Sequence, residues 1–148
     1  MLRCRPVGQD EFDGFFDLMQ NEAGDYLGEA MNFLNMSEQG FRKLFKTVGE
    51  VYAICEDEKV AGFYWIEKRG KVLHLHGLVL SSEFQGRGIG RSVMKMLEDE
   101  FRDDFEMIEL GVHESNAKAR DLYQKLGYIV VRELPEIGFL IMQKRLKG

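Results

Sequence analysis

Apolar and polar positions along this chain change their period several times, and each change marks an element. The opening Leu2-Arg3-Cys4-Arg5-Pro6-Val7 alternates as a strand does. From Asp10 to about Phe45 the apolar residues recur at helical spacing, first Phe12, Phe15, Phe16 and Met19, then Tyr26, Leu27, Ala30, Met31 and Leu34. Gly24, Gly28 and Gly40 interrupt that stretch and predict two or three short helices rather than one rod. Val51–Cys55 and Val60–Ile66 flank the turn Glu56-Asp57-Glu58-Lys59, and Arg69-Gly70-Lys71 leads into Val72–Leu80. Connections this short require antiparallel hairpins. After Gly90 the period is helical again, with Val93, Met94, Leu97 and Phe101 on one face. Phe105–Val112 reads as a strand and Ser115–Leu126 as a helix opened by Ser115 or Asn116 as N-cap; strands Tyr128–Arg132 and Gly138–Met142 follow around Pro135. Val72 to Val112 is strand, helix, strand, with a crossover long enough for parallel pairing. The expected fold is α+β: a mixed, mostly antiparallel central sheet that becomes parallel at its centre, with flanking helices, in one domain over residues 1–148.

Composition narrows the classes. With 45% hydrophobic and 30% charged residues, the 148-residue chain reads as soluble and globular. Its apolar runs are too short for a membrane span, and Met1–Arg5 lacks the apolar core of a secretory signal. Cys4 and Cys55 sit apart in apolar stretches and read as core thiols in a reducing cytoplasm, the expected location. A net charge of −5 opposes broad contact with a phosphate backbone, so neither nucleic acid nor a membrane is an expected partner.

The chemistry concentrates around Gln85-Gly86-Arg87-Gly88-Ile89-Gly90-Arg91, between a predicted strand and a predicted helix. Alternating glycines leave backbone N–H groups uncovered and permit positive torsions that turn them into one concavity. The following helix adds its dipole, and Arg87 and Arg91 add charge, which suits a pyrophosphate. The spacing is not a dinucleotide fingerprint, which would need glycine at Arg91 or Val93, nor a Walker loop, which needs Lys and Ser/Thr after its second glycine. The plain alternative is a flexible turn.

Following Leu78-Val79-Leu80, that loop resembles the central motif of the GCN5-related N-acetyltransferase (GNAT) superfamily. Some thirty residues on, Asn116-Ala117 and Ala119-Arg120, then Leu122-Tyr123-Gln124-Lys125-Leu126-Gly127-Tyr128, are similar to its second motif. The resemblance covers Leu73–Tyr128 closely. It implies a splayed parallel strand pair with acetyl-CoA as co-substrate in the wedge and no metal. Leu78, Val79 and Leu80 would pair with the pantetheine arm. Gln85, Gly86, Arg87, Gly88, Ile89, Gly90 and Arg91 would surround the pyrophosphate, and Asn116 would bond the arm. Tyr123 would reprotonate the departing sulfur; the plain alternative for it is a core tyrosine. Ribosomal-protein N-terminal acetyltransferases tend to carry a glutamate where this chain has Gly111; Glu109 lies two residues earlier on the same face and looks displaced. Ser82 stands where a proline is common.

An amine of pKa near 10.4 needs about 4–5 kcal/mol to reach its neutral form at pH 7, so the reaction calls for a proton acceptor. His74 and His76, two apart on a strand, would share a face with Leu78 and Leu80 by strict alternation, and an ordinary histidine pKa near 6.5 suits the task. His74–Leu80 also resembles the stretch that carries paired histidines in arylalkylamine N-acetyltransferases, where they relay the amine proton. A solvated histidine pair is the other reading. A zinc site using His113 is excluded by geometry, since parallel register puts it about 15 Å along the strand from the pair.

Between Arg5 and Arg42 there is no lysine or arginine, while Asp10, Glu11, Asp13, Asp17, Glu22, Asp25, Glu29 and Glu38 lie there. An acidic wall would concentrate cationic amines, although for most of these residues a solvated helix face over an aromatic core is the better reading. The expectation is an acetyl-CoA-dependent N-acetyltransferase acting by direct transfer to a primary amine, on a small molecule or a protein. A non-catalytic acyl-CoA-binding module is the alternative. A homodimer is left open.

Overall fold

A computed structural model of the chain describes residues 1–146. Among these residues seven strands form one sheet in the order β1-β2-β3-β4-β5-β7-β6: β1 Leu2–Pro6, β2 Glu50–Glu56, β3 Lys59–Arg69, β4 Val72–Leu80, β5 Met107–His113, β6 Ile129–Leu134 and β7 Phe139–Arg145. All pairs are antiparallel except β4 with β5, as the crossover length requires. The crossover is α3, Ile89–Phe101, and α4, Ala117–Lys125, packs on the same face. Opposite lie α1, Phe12–Phe33, and α2, Glu38–Thr47. The architecture is the expected mixed α+β sheet.

The two faces bury separate cores. Val93, Met94, Leu97 and Phe101 of α3 pack with Tyr123 of α4 and its C-cap Leu126 on Leu73, Leu75, Ile108 and Leu110. On the other side Phe15, Phe16, Phe41 and Phe45 cover Val51, Ala53, Phe63 and Trp65. Burying one such ring contributes roughly 1.5–3 kcal/mol, so the two clusters can fix the helices on either face.

The glycine-interrupted helical stretch resolves differently from the simplest reading. Neither Gly28 nor Gly40 breaks a helix. The interruption lies at Ala23, beside Gly24, whose φ of −134° and ψ of 26° leave the helical basin within α1. The second break is the turn before α2, where Ser37 is the N-cap and its Oγ accepts the Gly40 N–H at 3.0 Å.

Strict alternation fails along β4. Trp65 pairs with Gly77 and Ile66 with Leu75, leaving His76 as an extra, unopposed residue in a bulge. Leu73 and Leu75 face α3, and after the bulge Leu78 and Leu80 face it too. His74 and His76 point to the other side, His76 stacking on Trp65 at 4.4 Å. The expectation that the histidines share a face with Leu78 and Leu80 is therefore corrected; one inserted residue reverses the parity downstream.

Candidate active site

β4 and β5 pair only from Val72–Met107 to Leu75–Leu110. Beyond that rung β4 runs on to Leu80 and β5 to His113 without pairing each other, while β5 keeps β7 on its far side and β4 keeps β3. The strands part, and the inner edge of Leu78–Leu80 is left without a β5 partner, open to an amide-bearing ligand.

A cleft of about 500 Å³ opens along that edge. Leu78, Val79 and Leu80 form one wall; Gly86, Gly88, Ile89, Gly90 and Arg91 form the end; Asn116, Ala119, Leu122 and Tyr123 of α4 form the other wall. Gly86 and Gly88 have φ of 75° and 79°, and a Cβ at either would meet open space, so the left-handed torsion rather than crowding calls for glycine there. Gly88 is the N-cap of α3, whose first-turn amides have no carbonyl a turn behind them. Those amides, with Arg91 and Lys118 on the cleft wall, are suited to an anionic pyrophosphate.

Asn116 caps α4, its Oδ1 accepting the Ala119 N–H at 3.3 Å, which leaves its side-chain NH₂ to donate into the cleft. Gln85 is already engaged: its Nε2 donates to Leu80 O at 2.9 Å and to Glu22 Oε1 at 2.7 Å, tying the glycine loop to α1 just before its break. Tyr123 is buried against Tyr128, and burial pushes its hydroxyl up to about 12, so it stays protonated across the neutral range.

Some sequence-derived residues fall elsewhere. The Arg87 guanidinium lies 5.3 Å from the Phe84 ring centre and lines a separate surface cavity with Arg3, Lys59 and Glu83. His74 and His76 do not line the cleft either; they sit on the α1/α2 face of the sheet, at the apex where the strands separate. Their rings are 4.6 Å apart. His74 Nδ1 is 3.1 Å from Glu109 Oε1, and His76 Nε2 is 2.7 Å from Glu67 Oε1. Burial, with His76 and Arg69 adding to it, lowers His74 to about 4, and burial also lowers His76. Both are neutral at pH 7, and burial makes His74 a weaker base than the ordinary imidazole the sequence leads one to expect. Glu109, which the sequence leaves looking displaced, is directly opposite His74 in the parallel register.

The second half of α1 closes one side of the cleft with Glu22, Ala23 and Tyr26. Tyr26 stacks on His113 at 4.4 Å, and Glu29 reaches His113 Nε2 at 3.1 Å. Much of the acidic run is neutralised locally: Arg42 meets Asp13, Asp17 and Glu38, and Lys46 meets Asp13. Sequence reasoning did not find Lys118, which falls outside the helical spacing of Asn116, Ala119 and Tyr123. Nor did it find Glu67, whose partner His76 lies on the neighbouring strand, two residues beyond its cross-strand mate His74. Among the described residues, no group of three or more His, Cys, Asp or Glu side chains could hold a metal ion, and no helix is long and apolar enough to cross a membrane.

Comparison with known proteins bears on this geometry. The model of the Acetyltransferase (GNAT) family matches residues 13–128. The L-amino acid N-acyltransferase MnaT of Escherichia coli (strain K12) is 31% identical over 64 residues, 43% of this chain and 37% of its own length. The chain spans 66% of the length of an uncharacterized N-acetyltransferase of Methanocaldococcus jannaschii, 29% identical over 96% of this chain. The ribosomal-protein-S18-alanine N-acetyltransferase from Escherichia coli shares the fold over 100% of this chain and 96% of its own, with TM-score 0.75 and 19% identity. The PaiA N-acetyltransferase of Thermoplasma acidophilum, solved in complex with coenzyme A, does so over 98% and 99%, with TM-score 0.74 and 16% identity.

Proposed function

Because this chain belongs to the Acetyltransferase (GNAT) family, we propose that it transfers the acetyl group of acetyl-CoA directly to a primary amine. The observation that carries the reading is the end of β4–β5 pairing at Leu75–Leu110, beside a glycine-capped helix. Acetyl-CoA supplies the activated acyl group. Backbone groups of Leu78–Leu80 pair with its pantetheine amides, Asn116 donates to the same arm, and the Gly86–Arg91 amides, with Arg91 and Lys118, hold the pyrophosphate. An N–H beside Leu78 meets the negative charge that grows on the carbonyl oxygen.

The amine nitrogen forms a bond to the carbonyl carbon as the carbon–sulfur bond breaks. His74 and His76 accept the amine proton, directly or through water, on the opposite side of the sheet apex from Tyr123. Tyr123 returns a proton to the sulfur; a thiol pKa near 8.5 makes that help useful rather than indispensable. Neither Cys4 nor Cys55 borders the cleft, in keeping with direct transfer.

The acceptor is a primary amine with an apolar or cationic body, since Glu22, Tyr26 and the His113–Glu29 pair flank the approach. Thiol release from acetyl-CoA across a panel of L-amino acids, arylalkylamines, polyamines and free peptide N-termini tests this. Turnover with at least one small amine is expected. Cofactor binding without thiol release from any of them would make the chain a non-catalytic acyl-CoA binder, and turnover confined to peptides would make it a protein acetyltransferase.

A further inference from the structure

His74 sits on the last rung but one before the wedge opens, and its contacts are more specific than a solvated side chain needs. Its Nδ1 meets Glu109 Oε1 at 3.1 Å, while the other carboxylate oxygen of Glu109 accepts from Gln143 Nε2 at 2.8 Å. Three adjacent strands thus contribute His74, Glu109 and Gln143 to one chain of bonds. His76 is held in the opposite sense: its Nε2 meets Glu67 Oε1 at 2.7 Å, and that same oxygen takes the Arg69 guanidinium at 3.0 Å. The ring nitrogens left over, Nε2 of His74 and Nδ1 of His76, have no protein partner among the described residues.

The geometry points to Glu109 as a positioning residue that holds His74 as the Nδ1–H tautomer, leaving a bare Nε2 at the wedge apex to accept the amine proton, while Glu67 fixes the reverse tautomer on His76. This rests on the acetyl transfer proposed above. An ionised carboxylate can only accept, so a neutral ring bonded to it must carry its proton on the bonded nitrogen. Burial alone would raise Glu109, but the hydrogen bonds from Gln143 and His74 outweigh it and hold it below the usual glutamate range. The charged or titratable groups facing His74 are Glu67 and Arg69 from β3, His76 from β4 and Glu109 from β5. Of these, Glu109 is the one hydrogen-bonded to the ring and the one whose contact raises its basicity. In Glu109→Gln the amide can donate as well as accept, so the tautomer is no longer dictated and Nε2 becomes a weaker base.

The test combines nitrogen NMR of ¹⁵N-histidine-labelled full chain with kinetics on its best amine. In the wild type, His74 should show a protonated Nδ1 and a bare Nε2 at pH 7, and His76 the reverse. In Glu109→Gln the His74 signals should become mixed, kcat should fall at least about tenfold with the KM for acetyl-CoA unchanged, and the acid limb of kcat should move to lower pH. Glu109→Asp should recover part of the rate. Gln143→Met, which leaves the carboxylate but frees its far oxygen, is the milder variant should Glu109→Gln fold poorly, and should shift the same signals less. Protonation on His74 Nε2 in the wild type overturns the inference. So does a changed tautomer with unchanged kcat, which makes the bond structural. A wild-type chain with the expected tautomers that binds acetyl-CoA yet acetylates no amine instead overturns the proposed function, and the catalytic half of this inference with it.

Discussion

His74 and Glu109 face each other across the parallel β4–β5 pair, Nδ1 to Oε1 at 3.1 Å, one rung before those strands part. A neutral imidazole and an ionised carboxylate are thus fixed at the point where an amine entering from the α1/α2 face would meet a thioester arriving along Leu78–Leu80.

The pH dependence follows from that placement. The folded pKa of His74 is depressed from 6.5 to about 4, so between those values the unfolded chain binds more protons than the folded one. Stability therefore falls as pH drops through this window, and His76, also depressed, acts in the same direction. Thermal unfolding between pH 6.5 and 5, above most carboxylate titration, should show a falling Tm in the wild type and a shallower fall in His74→Gln/His76→Gln. In the same double variant kcat at pH 7 should drop about 100-fold, the size of a lost general base. An unchanged kcat would leave the pair as sheet-face packing.

The glycine loop should be sensitive to its torsions. Acetyl-CoA at about 100 Kd should stabilise the wild type by roughly 2.7 kcal/mol, raising Tm by about 5–10 °C. Gly88 has φ of 79° with open space around its Cα, so Gly88→Ala meets no clash and pays only for the left-handed basin, about 1 kcal/mol. The N-cap then relaxes and turns its amides. Calorimetric titration should show acetyl-CoA affinity at least about tenfold weaker while the apo chain still folds cooperatively; equal affinity would remove the loop from cofactor binding.

Much of this site is legible in the sequence. Gly86, Gly88 and Gly90 at the start of a periodic helix announce an anion-binding turn, and Asn116, Ala119 and Tyr123 fall on one helical face. The order of elements, with short hairpins before the loop and one long crossover after it, dictates a mixed sheet. What escapes depends on register between distant strands. The bulge at His76 exists because Trp65 and Ile66 pair with residues two apart on β4, and period-two alternation cannot express an inserted residue. Glu109 looks displaced until parallel pairing brings it opposite His74. Arg87 sits in the loop by sequence, but its guanidinium goes to Phe84, a choice of rotamer that spacing does not encode.

Tyr123 should affect the rate without affecting affinity. Tyr123 lines the cleft, and burial keeps its hydroxyl protonated to about pH 12. Tyr123→Phe keeps the ring and its contact with Tyr128. Thiol-release kinetics should therefore show kcat about 10- to 100-fold lower with the KM for acetyl-CoA within about twofold of wild type. Equal loss in both parameters would assign the ring to packing instead of proton return.

Stability at a distance from the cleft hinges on Glu98, among the described residues the one charged side chain that is buried. Its carboxylate accepts Lys144 Nζ at 2.8 Å and the Tyr128 hydroxyl at 3.1 Å, joining α3 to β7 and to the residue before β6. Those strands lie on the β5 side of the wedge, so the contact braces one half of the parted sheet against the crossover helix. Glu98→Ala strands the Tyr128 hydroxyl and the half-buried Lys144 ammonium; since Lys144 can partly turn to water, the loss should be about 2–3 kcal/mol rather than the larger cost of a fully sealed pair. Replacing both partners, Glu98→Met with Lys144→Met, removes the charges together and should recover most of it. Urea unfolding of Glu98→Met, Lys144→Met and the double variant gives the coupling directly, and acetyl-CoA affinity should not move in any of them. If the double variant is as unstable as Glu98→Ala, the stabilisation resides in the Tyr128 hydrogen bond and not in the ion pair.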